Sequence, residues 1–370
     1  MAIKPVQVGI IGCGNISGTY FTHCKELETL EVVACSDIIP ERAKASAEKF
    51  GIPHHGTNEV VLDNPDIELV ICLTPPKVHA EIMLDALAAG KNAYTEKPFG
   101  ICKDEGQAIL SAARARGLRV GGAPDTFLGA GIQTCRKLID DGAIGRPVAA
   151  VAFMMGRGAE SWHPDPEFFY ERGGGPMLDM GPYYLTTLVN LLGSIRRVTG
   201  SARASFPERL ITSEKKRGKR IVVETPTHIT GTAEFANGAI ATLVMSFDIK
   251  AHNLPCIQVY GSEGTLSVPD PNGFGGPVRI DRGKGKGWED VKLINQAYAD
   301  QSRGIGPADL AMAIRTGRKA RASGALAYHV LEAMVSFEAA SRSGRHVELA
   351  STCDRPAAMP PKLKRGKIDQ

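Results

Sequence analysis

The sequence predicts an α/β domain with a parallel sheet, followed by a second domain built on a half-covered sheet. In the first third of the 370 residues, apolar runs of strand length alternate with helical patterns, as in βαβ units. In the second half, several runs alternate apolar and polar residues, which is typical of strands with one buried face. A chain of this length exceeds what one hydrophobic core usually holds, so two domains are expected.

The chain begins with an apolar strand that runs straight into a glycine-rich turn. A strand that turns sharply into a helix leaves little room for Cβ atoms and aims backbone N–H groups at a phosphate. Ser17 stands where a third glycine is usual, at a position that governs helix-to-strand packing, where a small side chain is compatible. The pattern predicts a dinucleotide site with these contacts: Gly12, Gly14, Asn15 and Ile16.

A second apolar run, Leu30–Ser36, ends at Asp37, which lies 25 positions after Gly12. An acidic side chain at the end of the second strand accepts both ribose hydroxyls and repels a 2′-phosphate. Asp37 therefore predicts NAD as the cofactor in preference to NADP. The alternative is that this carboxylate caps the helix that begins near Pro40 and Glu41.

The βαβ pattern continues with a helix at 42–50, a strand at 68–73, a helix at 77–89 and a strand at 91–95. Ligands of parallel sheets bind just beyond the carboxyl ends of the strands. We therefore expect Thr74, Pro75 and His79 beside the cofactor. For His79 we expect a cofactor contact or a packing role rather than a role as catalytic base, because nothing near it in sequence orients it.

Glu96, Lys97 and Pro98 follow the last of these strands. The proline holds Lys97 extended, so its ammonium is expected to project over the crevice where a nicotinamide lies, with Glu96 beside the cofactor. Such a lysine stabilises an alkoxide, or loses a proton if burial lowers its pKa. The alternative is an exposed lysine beside a turn.

In the second half, alternating runs at 148–155, 227–235, 239–248 and 256–260 predict the half-covered sheet. An aromatic-rich insertion between the first run and the others suits a sugar site, because flat rings cover the C–H faces of sugars. Trp162 and His163 are the candidate substrate contacts, and His163 is also a candidate for proton transfer. The alternative is that the aromatic side chains pin a loop to the sheet and that His163 is a surface or packing group.

Asp179 and Tyr183 are four positions apart, so on one helix they share a face. An unperturbed phenol titrates about three units above imidazole, so Tyr183 is a better proton donor to a carbonyl than a base, unless Lys97 lowers its pKa. Pro182 lacks the N–H for an intrahelical hydrogen bond and is expected to affect this alignment.

Composition argues against several other classes of protein. The net charge of +4 is concentrated at 215–220 and 362–367, which we interpret as a solvated loop and a frayed terminus because neither run has the interleaved aromatics of a nucleic-acid site. The eight cysteines contain no Cys-x-x-Cys pair and predict reduced core residues without a metal site. No signal peptide or membrane-spanning run is evident, so we expect a cytoplasmic enzyme without a membrane partner.

Several of these segments together resemble the glucose–fructose oxidoreductase, inositol dehydrogenase and rhizopine-catabolism family: 12–16, Asp37, Thr74-Pro75 and Glu96-Lys97-Pro98. The likeness extends into the second half through 140–147 and the glycine triplet 173–175 that precedes Asp179. The resemblance implies an N-terminal Rossmann domain with a doubly wound parallel sheet, residues 1–124. It also implies an α+β C-terminal domain with a large, mostly antiparallel open sheet, residues 125–370.

The resemblance further implies a pyridine-nucleotide enzyme that acts on a sugar or cyclitol, with Lys97 and Asp179 at the chemistry. The family usually has histidine at position 183, where this chain has tyrosine, and often asparagine at position 125. Asp125 is therefore a candidate contact at the nicotinamide edge. Two alternatives remain open, an NAD-dependent glycoside hydrolase that uses transient C3 oxidation and a non-catalytic NAD-binding sensor or repressor. An exposed sheet face predicts a homodimer or homotetramer.

Overall fold

The computed structural model describes residues 4–369, and the first of its two large sheets lies in the N-terminal third. Its strands are β1 (Val6–Ile11), β2 (Leu30–Ser36), β3 (His54–Gly56), β4 (Leu69–Cys72), β5 (Asn92–Thr95) and β6 (Val120–Gly122). The helices between them are α1 (Ser17–Cys24), α2 (Pro40–Phe50), α3 (Glu59–Leu62), α4 (His79–Ala88) and α5 (Lys103–Arg116).

The six strands pair in the order β3-β2-β1-β4-β5-β6, and every neighbouring pair is parallel. The order reverses between β1 and β4, which is the doubly wound arrangement that the resemblance implies. Strand β4 is buried along its whole length, as expected of a parallel strand covered on both faces. The carboxyl ends of β1, β2, β4 and β5 therefore meet along one edge of the sheet.

The rest of the chain forms a nine-stranded sheet, a two-stranded ribbon and five more helices within residues 125–369. The helices are α6 (Ala130–Asp140), α7 (Gly175–Asp179), α8 (Gly181–Leu192), α9 (Ile305–Thr316) and α10 (Gly324–Ser343). The strands are β7 (Pro147–Met155), β8 (Ile195–Arg203), β9 (Glu208–Leu210), β10 (Arg220–Val222), β11 (His228–Phe235), β12 (Ile240–Ser246), β13 (Ile257–Gly261), β14 (Thr265–Val268), β15 (Val278–Asp281), β16 (Glu289–Val291) and β17 (Val347–Glu348).

The nine-stranded sheet has the order β16-β15-β14-β13-β7-β12-β11-β8-β17, and β9 pairs with β10 separately. Only the β7–β12 pair of the large sheet is parallel. In β12, Leu243 and Met245 are buried while Ile240 and Thr242 are exposed. This alternation confirms the predicted large, mostly antiparallel sheet with one covered face.

The segment that carries Asp179 and Tyr183 differs from the single helix expected from their spacing. Helix α7 ends at Asp179, and α8 begins at Gly181 with Pro182 in its first turn. Proline is favoured in a first turn and has no N–H to bond a carbonyl of the preceding turn, so the helix breaks at Met180. The two functional side chains are therefore placed by two short helices that meet at a bend.

The basic C-terminal run is ordered, so the prediction of a frayed terminus is wrong. Arg365 Nε donates to Glu26 Oε2 of the N-terminal domain at 2.7 Å, and Lys367 pairs with Glu28. Asp369 accepts hydrogen bonds from Arg318 and Arg321, each at 2.8 Å. The acidic partners of this tail lie far away in sequence, which is why composition alone does not reveal its docking.

The remaining features concern cysteines, metals and membranes. All eight cysteines are free, and five of them are buried. Within residues 4–369, no three His, Cys, Asp or Glu side chains are grouped so that they could hold a metal ion. None of the described helices combines the length and the apolar character needed to cross a membrane.

Candidate active site

The glycine-rich turn lies at the carboxyl end of β1, against the turn that follows β4. Gly12 has φ +104°, and a Cβ there would lie 2.8 Å from the carbonyl carbon and oxygen of Leu73. A Cβ at Gly14 would meet nothing within 4 Å, so that side of the turn is open. Ser17 Oγ donates to the Gly14 carbonyl oxygen at 2.7 Å, which accommodates serine at the third position. The turn thus has the shape that a closely approaching phosphate requires.

Asp37 joins the glycine-rich turn to the loop that precedes α2. Its Oδ2 accepts from the Cys13 N–H and its Oδ1 from the Ile39 N–H, both at 2.8 Å. The second contact is with the N-cap residue of α2, which has no side-chain cap hydrogen bond, so Asp37 does not cap this helix. The first contact places the carboxylate beside the predicted phosphate site. Ile38 is 96% exposed at this edge, and neither position 38 nor 39 is basic, so this loop lacks a cation for a 2′-phosphate.

His79 lies beneath the turns that follow β4 and β5. Its Nε2 is 2.7 Å from the carbonyl oxygen of Thr74, and its Nδ1 is 2.8 Å from that of Pro98. The side chain is buried, and burial lowers the pKa of this imidazole even though the two carbonyl contacts oppose that shift. A neutral imidazole has one N–H and so donates to only one of these carbonyls, and the buried position of the ring between the two turns favours a packing role.

Glu96 anchors the start of the Glu-Lys-Pro segment. Its Oε1 accepts from the Tyr20 hydroxyl at 2.7 Å, and its Oε2 accepts from the Lys97 N–H at 3.1 Å. The carboxylate is 9% exposed. Glu96 therefore fixes the backbone of Lys97 relative to helix α1.

Lys97 reaches across from the first domain to the junction of α7 and α8. Its Nζ donates to Asp179 Oδ1 at 2.6 Å and to the Asp179 carbonyl oxygen at 2.7 Å. The two side chains are 17% and 21% exposed, so the ion pair is largely shielded. This geometry contradicts the alternative of an exposed lysine beside a turn.

The environment of Lys97 keeps its ammonium charged. Burial is the largest single effect and disfavours the charged form, but Asp179, Tyr183 and Glu96 together outweigh it and raise the pKa of Lys97 above its ordinary value. Of the two roles considered for this lysine, the loss of a proton required a pKa lowered by burial. The structure instead supports the role of a cation that stabilises an alkoxide or donates a hydrogen bond.

Tyr183 lies between two cations. The Lys97 Nζ is 5.3 Å from the centroid of its ring, and its hydroxyl oxygen accepts from Arg303 Nη2 at 3.3 Å. The side chain is 5% exposed, and this burial raises the pKa of the phenol, while Lys97 and Arg303 act in the opposite direction. Tyr183 is therefore a neutral phenol at neutral pH, suited to donating a proton.

Arg303 completes this cluster, although no sequence motif marks it. It precedes α9 and lies 120 positions after Tyr183, outside any motif that its neighbours define. Its Nη2 also donates to Asn272 Oδ1 at 2.7 Å, and its guanidinium lies 5.9 Å from the ring centroid of Phe274. Only the folded chain shows that these residues lie beside Tyr183.

Asp125 is 1% exposed and holds the start of α9. Its Oδ2 accepts from the Gly304 N–H at 2.9 Å and from the Gly306 N–H at 3.0 Å. Burial raises the pKa of this carboxyl to about 6, although both N–H donors and Arg303 favour the charged form. The carboxylate thus fixes the backbone beside Arg303, and a cofactor contact for Asp125 stays a prediction.

Trp162 and His163 form a separate aromatic group. The Trp162 ring is edge-on to His163 and Phe169, with centroids 5.3 and 6.0 Å apart, and is 64% exposed. His163 Nδ1 accepts from the Asp165 N–H at 3.1 Å. Within residues 4–369, no hydrogen bond or ring contact joins either residue to Lys97. The buried Phe169 of this group supports the interpretation of a pinned loop, and a substrate contact stays a prediction.

Comparison with known proteins relates both domains to one family. Residues 6–122 match the model of an oxidoreductase family with an NAD-binding Rossmann fold, and residues 132–267 match the GFO/IDH/MocA C-terminal domain. The dTDP-3,4-didehydro-2,6-dideoxy-alpha-D-glucose 3-reductase of Streptomyces violaceoruber is 30% identical over 307 residues, which are 80% of this chain and 83% of that one. The chain belongs to the Gfo/Idh/MocA family.

Two further proteins are similar to this chain. The inositol 2-dehydrogenase of Ralstonia nicotianae is 28% identical over 283 residues, covering 72% of this chain and 74% of its own. The crystal structure of an NAD binding oxidoreductase from Klebsiella pneumoniae superimposes with a TM-score of 0.81 at 22% identity, over 94% of this chain and all of that one. The second likeness shows the shared fold.

As a Gfo/Idh/MocA member, the protein is an oxidoreductase whose Rossmann domain binds NAD. Its residues fit this cofactor, because the open side of Gly14 leaves space for phosphate and Asp37 closes the end of β2. Lys97 lies on the same edge of the sheet, one strand beyond β4. The Lys97–Asp179–Tyr183 cluster therefore lies beyond the same edge of the sheet as the glycine-rich turn.

Proposed function

We propose that this protein transfers a hydride between nicotinamide and a secondary hydroxyl or carbonyl group of a sugar, a sugar derivative or a cyclitol. The observation that carries the proposal is the contact of the Lys97 ammonium with Asp179, directly beside the Tyr183 phenol. Two proton-bearing groups thus converge beyond the carboxyl end of β5, on the edge of the sheet that holds the glycine-rich turn. Such an arrangement suits chemistry at a C–O bond.

The chain's own residues have distinct tasks in this proposal. Bound nicotinamide supplies or accepts the hydride. The Lys97 Nζ stabilises negative charge on the substrate oxygen, and the Tyr183 hydroxyl gives that oxygen its proton, or takes it in the opposite direction. Asp179 accepts a hydrogen bond from Lys97 and so fixes the direction of the ammonium. The carboxylate also balances the lysine charge in a largely shielded site.

The substrate class is supported by the names of the relatives. The curated proteins that match this chain include an inositol 2-dehydrogenase and a dTDP-sugar 3-reductase, whose names describe a cyclitol and a sugar derivative. In this chain, the exposed face of Trp162 is the candidate platform for a sugar ring. We also propose a homodimer or homotetramer, with the face of the large sheet that bears Ile240 as the candidate surface.

A substrate panel tests the proposed function. The purified protein is incubated with NAD or NADP and with sugars, cyclitols, sugar lactones and glycosides, and absorbance is followed at the band of reduced nicotinamide. We expect a signal with NAD and one class of substrate. Silence across the panel despite measurable NAD binding contradicts the proposal; product release from glycosides then identifies a hydrolase, and its absence leaves a sensor.

A further inference from the structure

Arg303 carries a half-buried positive charge without a carboxylate partner. Its guanidinium donates to three neutral oxygens, which belong to Tyr183, Asn272 and Gln301, at 3.3, 2.7 and 3.0 Å. Across residues 4–369, no Asp or Glu oxygen lies at ion-pair distance from it, and Asp125 and Glu96 act on its charge from farther away. A shielded cation is usually paired with an anion. The guanidinium of Arg303 is therefore suited to pair with a negative charge that develops on a neighbouring group during the reaction.

The position of Arg303 is fixed from both sides along the chain. The next residue, Gly304, donates its N–H to the buried Asp125 carboxylate at 2.9 Å. The preceding segment is held by Arg365, which donates to the Gln301 carbonyl oxygen at 3.0 Å and to Ser302 Oγ at 2.6 Å. The backbone that carries Arg303 is thus held by contacts with Asp125 and with the C-terminal tail.

We propose that Arg303 is a positioning residue that stabilises the negative charge left on the Tyr183 oxygen when this phenol gives up its proton. The inference rests on the proposed function, in which Tyr183 exchanges a proton with the substrate oxygen. In the reducing direction, the Tyr183 O–H bond breaks and the proton moves to that oxygen. The phenolate remains hydrogen-bonded to Arg303 Nη2 until it takes a proton from solvent.

The charges around Tyr183 explain why a second cation is needed. Burial and the carboxylate of Glu96 oppose a phenolate at this position, whereas Lys97 and Arg303 favour it. The ammonium of Lys97 is already paired with the Asp179 carboxylate at 2.6 Å. Arg303 is the cation that directly contacts the phenol oxygen, whereas the Lys97 ammonium lies over the face of the ring.

Titration of Tyr183 tests this role without requiring turnover. The full-length chain is labelled with 3-fluorotyrosine, whose more acidic phenol titrates at a lower pH, and the eight tyrosines are followed by ¹⁹F NMR. The Tyr183 signal is assigned by its absence in Tyr183→Phe. We expect Arg303→Gln to raise the midpoint of this signal by about one to two pH units, because an opposite charge at hydrogen-bond distance shifts a pKa by roughly that amount.

Matched variants separate the effect of charge from that of packing. Arg303→Met keeps an unbranched side chain without the charge and is expected to act like Arg303→Gln, whereas Arg303→Lys is expected to return the midpoint toward that of the unsubstituted chain. Arg279→Gln, which removes a surface arginine paired with Asp290, is expected to change nothing. An unchanged Tyr183 midpoint in the two neutral variants overturns the inference.

Different results would contradict the proposed function and the proposed role of Arg303. The titration needs neither substrate nor cofactor, so an unchanged midpoint removes the role of Arg303 and leaves the proposed function standing. A silent substrate panel contradicts the proposed function without altering the midpoints. With an active substrate, we further expect Arg303→Gln to lower kcat for carbonyl reduction at least tenfold while Kd for NAD stays unchanged.

Discussion

The Lys97 Nζ contacts both the carboxylate and the main-chain carbonyl of Asp179, at 2.6 and 2.7 Å, although 82 positions separate the two residues. Lys97 follows the strand β5 of the parallel sheet, and Asp179 ends the short helix α7 of the second domain. A single ammonium therefore links the two domains at the site. Its position depends on the fold of both domains.

Replacing Lys97 by alanine is expected to abolish turnover and to preserve cofactor binding. The side chain stabilises charge that develops on the substrate oxygen, and such groups contribute on the order of 10²- to 10⁴-fold in rate. Asp179→Asn, which removes the charge that holds this ammonium, is expected to lower kcat less severely. Turnover is measured at the reduced nicotinamide band and NAD affinity by calorimetry, with surface Lys44→Ala as the control. Normal turnover in Lys97→Ala contradicts the assignment.

Replacing Asp37 by serine is expected to weaken the preference for NAD over NADP. The substitution removes the negative charge that repels a 2′-phosphate, and it also removes the oxygens that accept from Cys13 and Ile39. NAD affinity is therefore expected to fall while NADP affinity rises relative to it. The measurement is the ratio of the two dissociation constants, with Asp290→Ser at the exposed surface as the control. An unchanged ratio argues that Asp37 is only a turn-forming residue.

Arg365 of the C-terminal tail is expected to stabilise the segment that carries Arg303. Its guanidinium pairs with Glu26 and donates to Ser302 and to main-chain oxygens between 297 and 301. Glutamine reproduces few of these contacts, so Arg365→Gln is expected to lower the free energy of unfolding by about 2 kcal/mol. Urea unfolding measures the effect against Arg279→Gln, and equal stability of the two variants contradicts the role of the tail.

The residues that sequence reasoning identified are those whose role follows from local chain geometry. Gly12, Asp37 and Lys97 each lie where a strand ends, and a parallel sheet brings such ends to one edge whatever the details of packing. Arg303 and Arg365 could not be identified in this way, because their partners lie far away in sequence and only tertiary packing brings them together.

The segment that carries Asp179 and Tyr183 shows the same limit of sequence-based prediction within a few residues. Its spacing predicted one continuous helix, and Pro182 gave a reason to expect a disturbance there. The size and direction of the bend depend on what each half packs against, which the spacing does not contain. As a result, the sequence identified Asp179 and Tyr183 as candidates, but it did not predict that the Tyr183 phenol lies between two cations.

The buried carboxyl of Asp125 is expected to make stability depend on pH in a way that Asp125→Asn removes. Its folded-state pKa of about 6 lies above the ordinary value of 3.8, so between these values the folded chain binds the proton more tightly than the unfolded chain. The stability that protonation of Asp125 provides is fully present below the lower value and is lost as pH rises through the higher one. An asparagine oxygen can still accept from Gly304 and Gly306, but it carries no charge into the interior.

Asp125→Asn is therefore expected to gain stability relative to the unsubstituted chain as pH rises, by about 1 kcal/mol between about pH 5 and about pH 8. Urea unfolding of both proteins at each pH measures this difference, and groups that titrate alike in the two proteins cancel. Asp290→Asn, at the exposed surface, is the matched control and is expected to show no such trend. A stability difference that stays constant with pH contradicts the raised pKa, and a loss of stability at both pH values indicates that the charge of Asp125 itself holds the start of α9.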